Sequence, residues 1–256
     1  MDTVTHHGRE TAFVATAGER SDETICFVHG SGTSHTVWEF QNSLSDRYDL
    51  VSLDLSGHGA SDDVQADAGY ATLSAYSDDL LAVVEETDAT AVVGSSLGGA
   101  VTLHALLERS FEPNAAILTG TGARMGVLED LLAWLESDFE RAIEFLHEPD
   151  RLFHDPNAEL LEASRERMRE CGRRTTARDF RTCHRFDVRA DLGEIDVPTL
   201  AVCGEYDRLT PPWYHEFLAD ELPDGEYVTI DDAAHLPMLE RPDAFNEALD
   251  DFVASR

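Results

Sequence analysis

The chain of 256 residues is predicted to form one α/β domain, with a mostly parallel β-sheet covered by helices on both faces. Two observations predict this class, and a third predicts an insertion within it. Strand-like apolar runs alternate with helical patterns along most of the chain. The length suits a single hydrophobic core rather than two. One segment, residues 122–190, interrupts the alternation and has helical periodicity alone.

The elements follow one another in a regular order. Strands are expected near residues 11–17, 24–28, 50–54, 90–95, 115–119, 198–203 and 226–230. Helical patterns lie at 35–45, 71–86, 97–109, 212–221 and 240–253. Because a helical or turn segment separates most consecutive strands, most neighbouring strands are expected to be parallel.

The interruption at residues 122–190 is interpreted as a helical cap. Its apolar residues recur at helical spacing: Val127, Leu128, Leu131, Leu132, Trp134, Leu135, Phe139, Ile143, Phe145 and Leu146. We expect this cap to roof the site and to shape the substrate pocket. Packing against the core is the favoured role of Trp134 and the phenylalanines, with substrate recognition as the alternative.

A nucleophile is predicted at Ser96, inside the G-x-S-x-G pentapeptide of residues 94–98. An apolar strand precedes this pentapeptide and an apolar helix follows it, which is the strand–turn–helix setting of a nucleophile elbow. The glycines relieve crowding in the tight turn. The backbone N–H of Leu97, at the start of the helix, is then free to donate to a developing oxyanion. An ordinary strand–helix turn is the alternative for this pentapeptide taken alone.

A second oxyanion donor is expected in the loop His29-Gly30-Ser31-Gly32, which directly follows a strand. A glycine-rich loop lets the backbone approach a carbonyl oxygen closely, and the N–H of Ser31 is the candidate donor. The alternative is a structural glycine turn in which His29 packs locally.

The acid and the base are predicted at Asp207 and His235, each on a loop that follows a strand in the last third of the chain. With Ser96 they give the order Ser, Asp, His of elbow-type hydrolases. Loops that leave the same ends of parallel strands meet at one edge of the sheet. Three nearby acids are rivals for the role of Asp207: Glu205, Asp231 and Asp232.

The loop of residues 54–61 has a D-x-x-G-H-G-x-S pattern without obvious chemistry. Asp54 and Ser61 suit turn and cap hydrogen bonds, and the glycines allow positive φ. Asp54 and His58 are therefore interpreted as structural. A catalytic His–Asp pair at this loop is the alternative.

Together these motifs resemble the α/β-hydrolase family. The resemblance rests on the loop at 29–30, the pattern at 54–61, the elbow at 94–98, the Gly204-x-x-Asp207 sequence and His235, which extend over most of the chain. It implies an eight-strand-type sheet, a helical cap after the sixth strand, and no cofactor. The chain looks most like small-ester, enol-lactone and carbon–carbon bond hydrolases. A serine nucleophile argues against the dehalogenase and epoxide hydrolase branches, which use aspartate.

The function expected from these residues is hydrolysis of a small carboxylic ester or lactone through an acyl-enzyme. Carbon–carbon bond hydrolysis, cofactor-free perhydrolysis and slow-turnover ligand reception remain alternatives on the same fold. No phosphate-binding loop, dinucleotide motif or metal-binding histidine cluster is evident, so neither a cofactor nor a metal is expected. The expected partner is a small-molecule substrate, and the oligomeric state is left open.

The charge is the most unusual property of the composition. The formal net charge is −32, and all 19 basic residues are arginine. The excess carboxylates repel one another in dilute buffer. Molar salt shortens the Debye length to about 3 Å and so screens most of this repulsion. We therefore expect a cytoplasmic protein of an extreme halophile, without a signal peptide or a membrane span. Nucleic acid and anionic membranes are excluded as partners by repulsion. Binding of cationic partners is the rival interpretation, but the acids are spread along the chain.

Eight of the arginines lie within residues 165–185. Such a cluster could steer a carboxylate-bearing substrate towards the site, or it could pair with acids of the core or of a second subunit. Pairing is the favoured interpretation.

Overall fold

The structure, a computed structural model, describes residues 1–18 and 23–256. Its eight strands are β1 (Asp2–His6), β2 (Arg9–Thr16), β3 (Thr24–Val28), β4 (Asp49–Leu53), β5 (Ala91–Ser95), β6 (Ala115–Thr119), β7 (Thr199–Gly204) and β8 (Gly225–Ile230). They form one sheet in the order β1-β2-β4-β3-β5-β6-β7-β8. β1, β2 and β4 pair antiparallel, and every pairing from β4 to β8 is parallel.

Helices lie between consecutive strands from β3 to β8. The α-helices are α1 (Tyr70–Thr87), α2 (Leu97–Glu108), α3 (Glu129–Ser137), α4 (Phe139–Leu146), α5 (Ala158–Cys171), α6 (Arg173–Arg185), α7 (Pro212–Glu221), α8 (Pro237–Glu240) and α9 (Pro242–Val253). Two 3-10 segments cover His35–Asp46 and Leu192–Glu194. Within residues 1–18 and 23–256, no helix is long and apolar enough to cross a membrane.

The central strands are apolar on both faces because helices cover both faces of the sheet. In β3, Ile25 and Phe27 join one core cluster, whereas Cys26 and Val28 join the other. Side chains alternate across a strand, so these two clusters lie on opposite sides of the sheet. The predicted mostly parallel sheet with helices on both faces is confirmed.

The predicted elements agree closely with the observed ones. The seven predicted strands begin and end within two residues of β2 to β8. The prediction missed β1, which forms a hairpin with β2 through His7 and Gly8, both at positive φ (48° and 77°). That geometry is typical of a tight two-residue hairpin turn. Val4 is the one apolar residue of β1, so the strand has no alternating apolar pattern by which to predict it.

One helix prediction is corrected. The pattern at 35–45 forms a 3-10 helix, whose buried Trp38, Gln41 and Leu44 recur every three residues. The pattern at 240–253 forms α9, which begins at Pro242. The short helix α8 precedes it and is separated from it at Arg241, the residue before a proline.

Four helices, α3 to α6, form an insertion between β6 and β7. Residues of this insertion line a cavity together with loops that follow β3, β5, β7 and β8. These loops all leave the carboxyl ends of parallel strands, so the topology brings them to one edge of the sheet.

Candidate active site

Ser96 sits in a strained turn between β5 and α2. Its φ and ψ are 54° and −113°, a conformation that is costly for a residue with a side chain. Hydrogen bonds hold it on both sides: its N–H donates to the carbonyl of Thr119 (2.8 Å), and its carbonyl accepts from the Thr121 hydroxyl (3.0 Å). A Cβ added at Gly98 would lie 2.2 Å from the carbonyl oxygen of Val28, so the close packing of the turn requires glycine there.

Two backbone segments beside Ser96 provide candidate oxyanion donors. Leu97 is the first residue of α2, so its N–H has no acceptor within the helix. The loop that carries Ser31 passes close by: a Cβ added at Gly30 would lie 3.1 Å from the Cβ of Ser96. Ser31 and Ser96 line the same cavity. The predicted positions for the two donors are therefore adjacent to the serine.

His29 fixes the shape of the loop that carries Ser31 through two hydrogen bonds of its ring. Its Nε2 accepts the N–H of Leu55 (3.1 Å), so Nδ1 carries the proton and donates to the carbonyl of Gly30 (2.8 Å). Burial lowers the pKa of His29 to about 4, which keeps the ring neutral. His29 thus has a structural role beside the candidate donor Ser31.

Asp207 and His235 form a buried hydrogen-bonded pair, with 2.8 Å between Asp207 Oδ2 and His235 Nδ1. The carboxylate also accepts the N–H groups of Leu209 (2.7 Å) and Thr210 (2.9 Å) and the Thr210 hydroxyl (2.7 Å). Burial alone would raise the pKa of Asp207, but the charge and hydrogen bond of His235 and the donors of Thr210 lower it below its usual value. The carboxylate form is therefore favoured.

Ser96 and His235 line the same cavity, although no hydrogen bond joins these two described residues. Because Nδ1 of His235 bonds Asp207, Nε2 is the nitrogen left to exchange a proton. Hydrogen bonds between nucleophile and base are often long without substrate and shorten on binding. Gly120, at a φ of 57°, leaves room for the imidazole: a Cβ there would lie 3.1 Å from Cε1 of His235.

A segment of the insertion connects the loops of the acid and the base. The carbonyls of residues 150–152 accept, in order, the N–H groups of Arg208 (3.0 Å), His235 (3.2 Å) and Leu236 (3.2 Å). One short stretch of backbone therefore fixes the position of the Asp207 loop relative to the His235 loop.

Glu240, on α8, also connects the loop of His235 to the insertion. One carboxylate oxygen accepts the N–H of Ala234 (2.7 Å), and the other accepts those of His154 (2.8 Å) and Asp155 (3.1 Å). Burial raises the pKa of this carboxyl, while the three N–H donors oppose the rise. Glu240 ties the residue before His235 to the insertion.

The remaining candidates lie elsewhere. The three rival acids, Glu205, Asp231 and Asp232, are exposed, and their side chains do not bond His235. Asp54 accepts from His35 (2.8 and 2.9 Å) and the Ala60 N–H (3.0 Å). His58 bonds Asp179 of α6 at 2.9 Å. Neither Asp54 nor His58 lines the cavity.

The arginine cluster at 165–185 is largely paired with acids. Six of its eight members form ion pairs: Arg165, Arg167, Arg169, Arg174, Arg178 and Arg181. Arg173 and Arg185 donate to backbone carbonyls. Arg167 is the member that lines the cavity, and its partner is Glu39 (3.4 Å).

The cavity has a volume of about 510 Å³, within the range of small-molecule sites. Its floor includes Ser96 and His235, and most other lining side chains are apolar. Among the described residues, no group of three or more His, Cys, Asp or Glu side chains is placed to hold a metal ion.

Three parts of the site were not predicted from the sequence: Thr210, Glu240 and the segment 150–152. An Asp whose carboxylate binds the N–H groups two and three residues later is a local pattern, so the Asp207-x-x-Thr210 spacing carried a usable signal. Glu240 and the segment 150–152 act through contacts between distant parts of the chain, which no local pattern encodes.

The chain is similar to known proteins of one family. The model of the alpha/beta hydrolase family matches residues 27–248, and the chain belongs to this family. It is 29% identical over 249 residues to a pimeloyl-[acyl-carrier protein] methyl ester esterase of Neisseria meningitidis, covering 90% of this chain and 93% of that protein. It is 24% identical over 261 residues to 3-oxoadipate enol-lactonase 1 of Acinetobacter baylyi, covering 98% and 96%.

Among solved structures, a thermophilic esterase superposes with a TM-score of 0.87 at 31% identity, covering 99% of this chain and 97% of that one. The protein is therefore an enzyme of the α/β-hydrolase fold.

Proposed function

We propose that this enzyme hydrolyses small carboxylic esters or lactones through an acyl-enzyme on Ser96. His235 is the general base, Asp207 orients it, and the N–H groups of Leu97 and Ser31 form the oxyanion hole. The observation that carries the proposal is the buried Asp207–His235 hydrogen bond of 2.8 Å beside a cavity that also exposes Ser96 in a strained elbow.

The proposed reaction has two halves. Ser96 Oγ attacks the ester carbonyl while Nε2 of His235 takes its proton, and the oxyanion accepts the two backbone N–H groups. Collapse of the tetrahedral intermediate breaks the bond to the alcohol oxygen, which receives the proton from His235. Water, deprotonated by His235, then attacks the acyl-enzyme and releases the acid, which restores Ser96. Asp207 keeps the proton on Nδ1 and stabilises the imidazolium.

Relatives support the class of substrate. The chain resembles a methyl ester esterase and an enol-lactonase, and both names describe cleavage of a carboxylic ester bond, which is cyclic in the lactone. We also propose that the segment 122–190 acts as the cap over this site, because its residues form much of the cavity wall.

Substitution of the proposed residues tests the mechanism. Ser96→Ala and His235→Ala should each lower kcat for p-nitrophenyl butyrate in molar KCl by about 10⁴-fold or more, and Asp207→Asn by about 10⁴-fold. Ser95→Ala is the matched control, since the buried Ser95 hydroxyl has no hydrogen-bond partner. Near-normal turnover of Ser96→Ala would refute the assignment. Tight ligand binding without turnover in the wild type would favour a receptor.

A further inference from the structure

Apolar side chains form most of the cavity wall. They come both from the insertion and from the rest of the chain: Val37, Leu131, Leu152, Met168, Phe180 and Leu239. A volume of about 510 Å³ is far more than an acetyl group needs. The wall therefore offers apolar surface to a longer substituent of the ester.

Two large apolar side chains remain exposed where the cavity meets solvent. Leu128 and Trp213 are 63% and 62% exposed, and both line the cavity. Exposed apolar surface that continues the apolar wall of a pocket is a feature of binding sites. The position of Leu128 and Trp213 extends the apolar wall outwards, so a chain longer than the cavity would still contact apolar surface.

Three arginines also line the cavity: Arg151, Arg167 and Arg208. Each already has a carboxylate partner. Arg151 pairs with Glu148 (2.8 Å), Arg167 with Glu39 (3.4 Å) and Arg208 with Asp150 (2.7 Å). The guanidinium of Arg151 additionally lies over the ring of Phe145, 3.4 Å from its centroid. All three of these arginines are thus paired, so the described lining residues provide no arginine without a carboxylate partner for an anionic substrate. The molecule as a whole carries a formal charge of −32.

We propose that the site prefers uncharged esters with an unbranched aliphatic chain of medium length, and that it discriminates against esters bearing a second carboxylate. The chain lies along the apolar wall and reaches the rim at Leu128 and Trp213. This inference rests on the proposed function, because it names the substrate class of the same serine site. A carboxylate drawn into this cavity loses water without gaining a free cation, which disfavours its binding.

The size of the preference follows from apolar burial. Each methylene removed from water favours binding by about fourfold. Methyl octanoate has six more methylenes than methyl acetate, and only a fraction of them needs to be buried in the transition state for a gain of about tenfold or more in kcat/KM.

Five esters test the proposal in molar KCl at neutral pH, with acid release followed by titration. They are methyl acetate, methyl octanoate, octyl acetate, monomethyl octanedioate and 8-acetoxyoctanoate. We expect at least one uncharged eight-carbon ester to exceed methyl acetate by about tenfold in kcat/KM, and to exceed its own carboxylate counterpart by about tenfold. The comparison of methyl octanoate with octyl acetate tells which side of the ester bond carries the chain.

Variants at the rim link the preference to this surface. Trp213→Ala and Leu128→Ala should lower the ratio of kcat/KM between the preferred eight-carbon ester and methyl acetate by about fivefold. Tyr70→Ala is the matched control, since Tyr70 is also 62% exposed but does not line the cavity. The ratio should not change in that variant.

The outcomes separate the two proposals. Equal kcat/KM for methyl acetate and both uncharged eight-carbon esters overturns the chain preference. Equal kcat/KM for the preferred ester and its carboxylate counterpart overturns the discrimination by charge. An unchanged ratio in both rim variants removes Leu128 and Trp213 from the site. In these three cases hydrolysis itself stands. Absence of turnover on all five esters overturns the proposed ester hydrolysis instead.

Discussion

At the residue scale, Ser96 adopts a backbone conformation that costs a non-glycine residue about 1–3 kcal/mol. Packing overcomes that cost: Gly98 lets α2 approach β3, and the Thr119 and Thr121 bonds fix the peptide groups of Ser96. The strain places the serine at the end of its strand beside the cavity. The strained backbone of Ser96 therefore lowers the stability of the fold at the residue that the proposed chemistry needs.

Replacing Ser96 tests the strain. Ser96→Gly should be more stable than Ser96→Ala by about 1 kcal/mol, because glycine adopts a φ of 54° without a Cβ penalty. Thermal unfolding of both variants in molar KCl measures the difference. At the neighbouring Ser95, in β5, the order should reverse, because glycine weakens a strand. Equal stability of Ser96→Gly and Ser96→Ala would show that the backbone is unstrained.

Glu240 gives a second prediction at this scale. In Glu240→Gln an amide NH2 replaces one carboxylate oxygen and faces a backbone N–H group, so at least one of the hydrogen bonds to Glu240 is lost. The loop before His235 should then be held less firmly. We expect kcat to fall by about tenfold while KM changes less than twofold, since small displacements of a base mainly affect the chemical step. Asp243→Asn removes the same charge at an exposed position and should have no effect on kcat. Equal effects of the two substitutions would exclude a positioning role.

At the scale of elements, a buried polar cluster joins α6 of the insertion to the rest of the fold. Asp179 accepts hydrogen bonds from His58 (2.9 Å) and the Tyr76 hydroxyl (2.8 Å). Arg178 bonds the same hydroxyl (2.9 Å) and pairs with Asp63 (2.7 Å). These contacts fix the position of the insertion by charge pairs as well as by apolar packing.

This cluster predicts a pH dependence of stability. Burial opposes protonation of His58, but the charge and hydrogen bond of Asp179 raise its pKa well above the ordinary value. A raised pKa in the folded state stabilises the protein fully below the unfolded pKa of about 6.5, and this contribution is lost as the pH rises through the folded value. The difference in melting temperature between wild type and His58→Gln should therefore be largest near pH 6 and shrink at alkaline pH. A gap independent of pH would contradict the ion pair.

Also at this scale, the elements that could be predicted from the sequence are those that depend on neighbouring residues in the chain. The strands β3 to β8 are short apolar runs, and the elbow at 94–98 is set by glycines in its own turn, so both could be predicted. The 3-10 geometry of residues 35–46 depended on a spacing of three among buried residues that also fits a helix. The bonds from the segment 150–152 to the loops of Asp207 and His235 arise only when distant segments meet.

At the scale of the whole molecule, the net charge of −32 dominates. Many acids pair with arginines on the surface, but 19 arginines cannot neutralise 51 acidic residues. The remaining carboxylates repel one another in dilute buffer. We propose that the protein is adapted to high salt, where the counterions screen this repulsion.

Salt should therefore control folding. Raising KCl from about 0.1 M to molar concentration, which shortens the Debye length from about 10 Å to about 3 Å, should raise the melting temperature by about 10 °C or more. Scanning calorimetry or circular dichroism at neutral pH measures the shift. Sucrose, which favours compact states without screening charge, is the control and should give a smaller shift. The same melting temperature in both buffers would remove the halophilic interpretation.

Covalent labelling of the nucleophile tests the central claim, that Ser96 carries the acyl group. A fluorophosphonate should add one equivalent to the folded enzyme in molar KCl, and fragmentation of the labelled peptide should place the phosphonate on Ser96 rather than Ser95. The adduct should be absent from Ser96→Ala and undiminished in Ser95→Ala. Labelling that persists in Ser96→Ala, or an adduct on another residue of the wild type, would contradict the account.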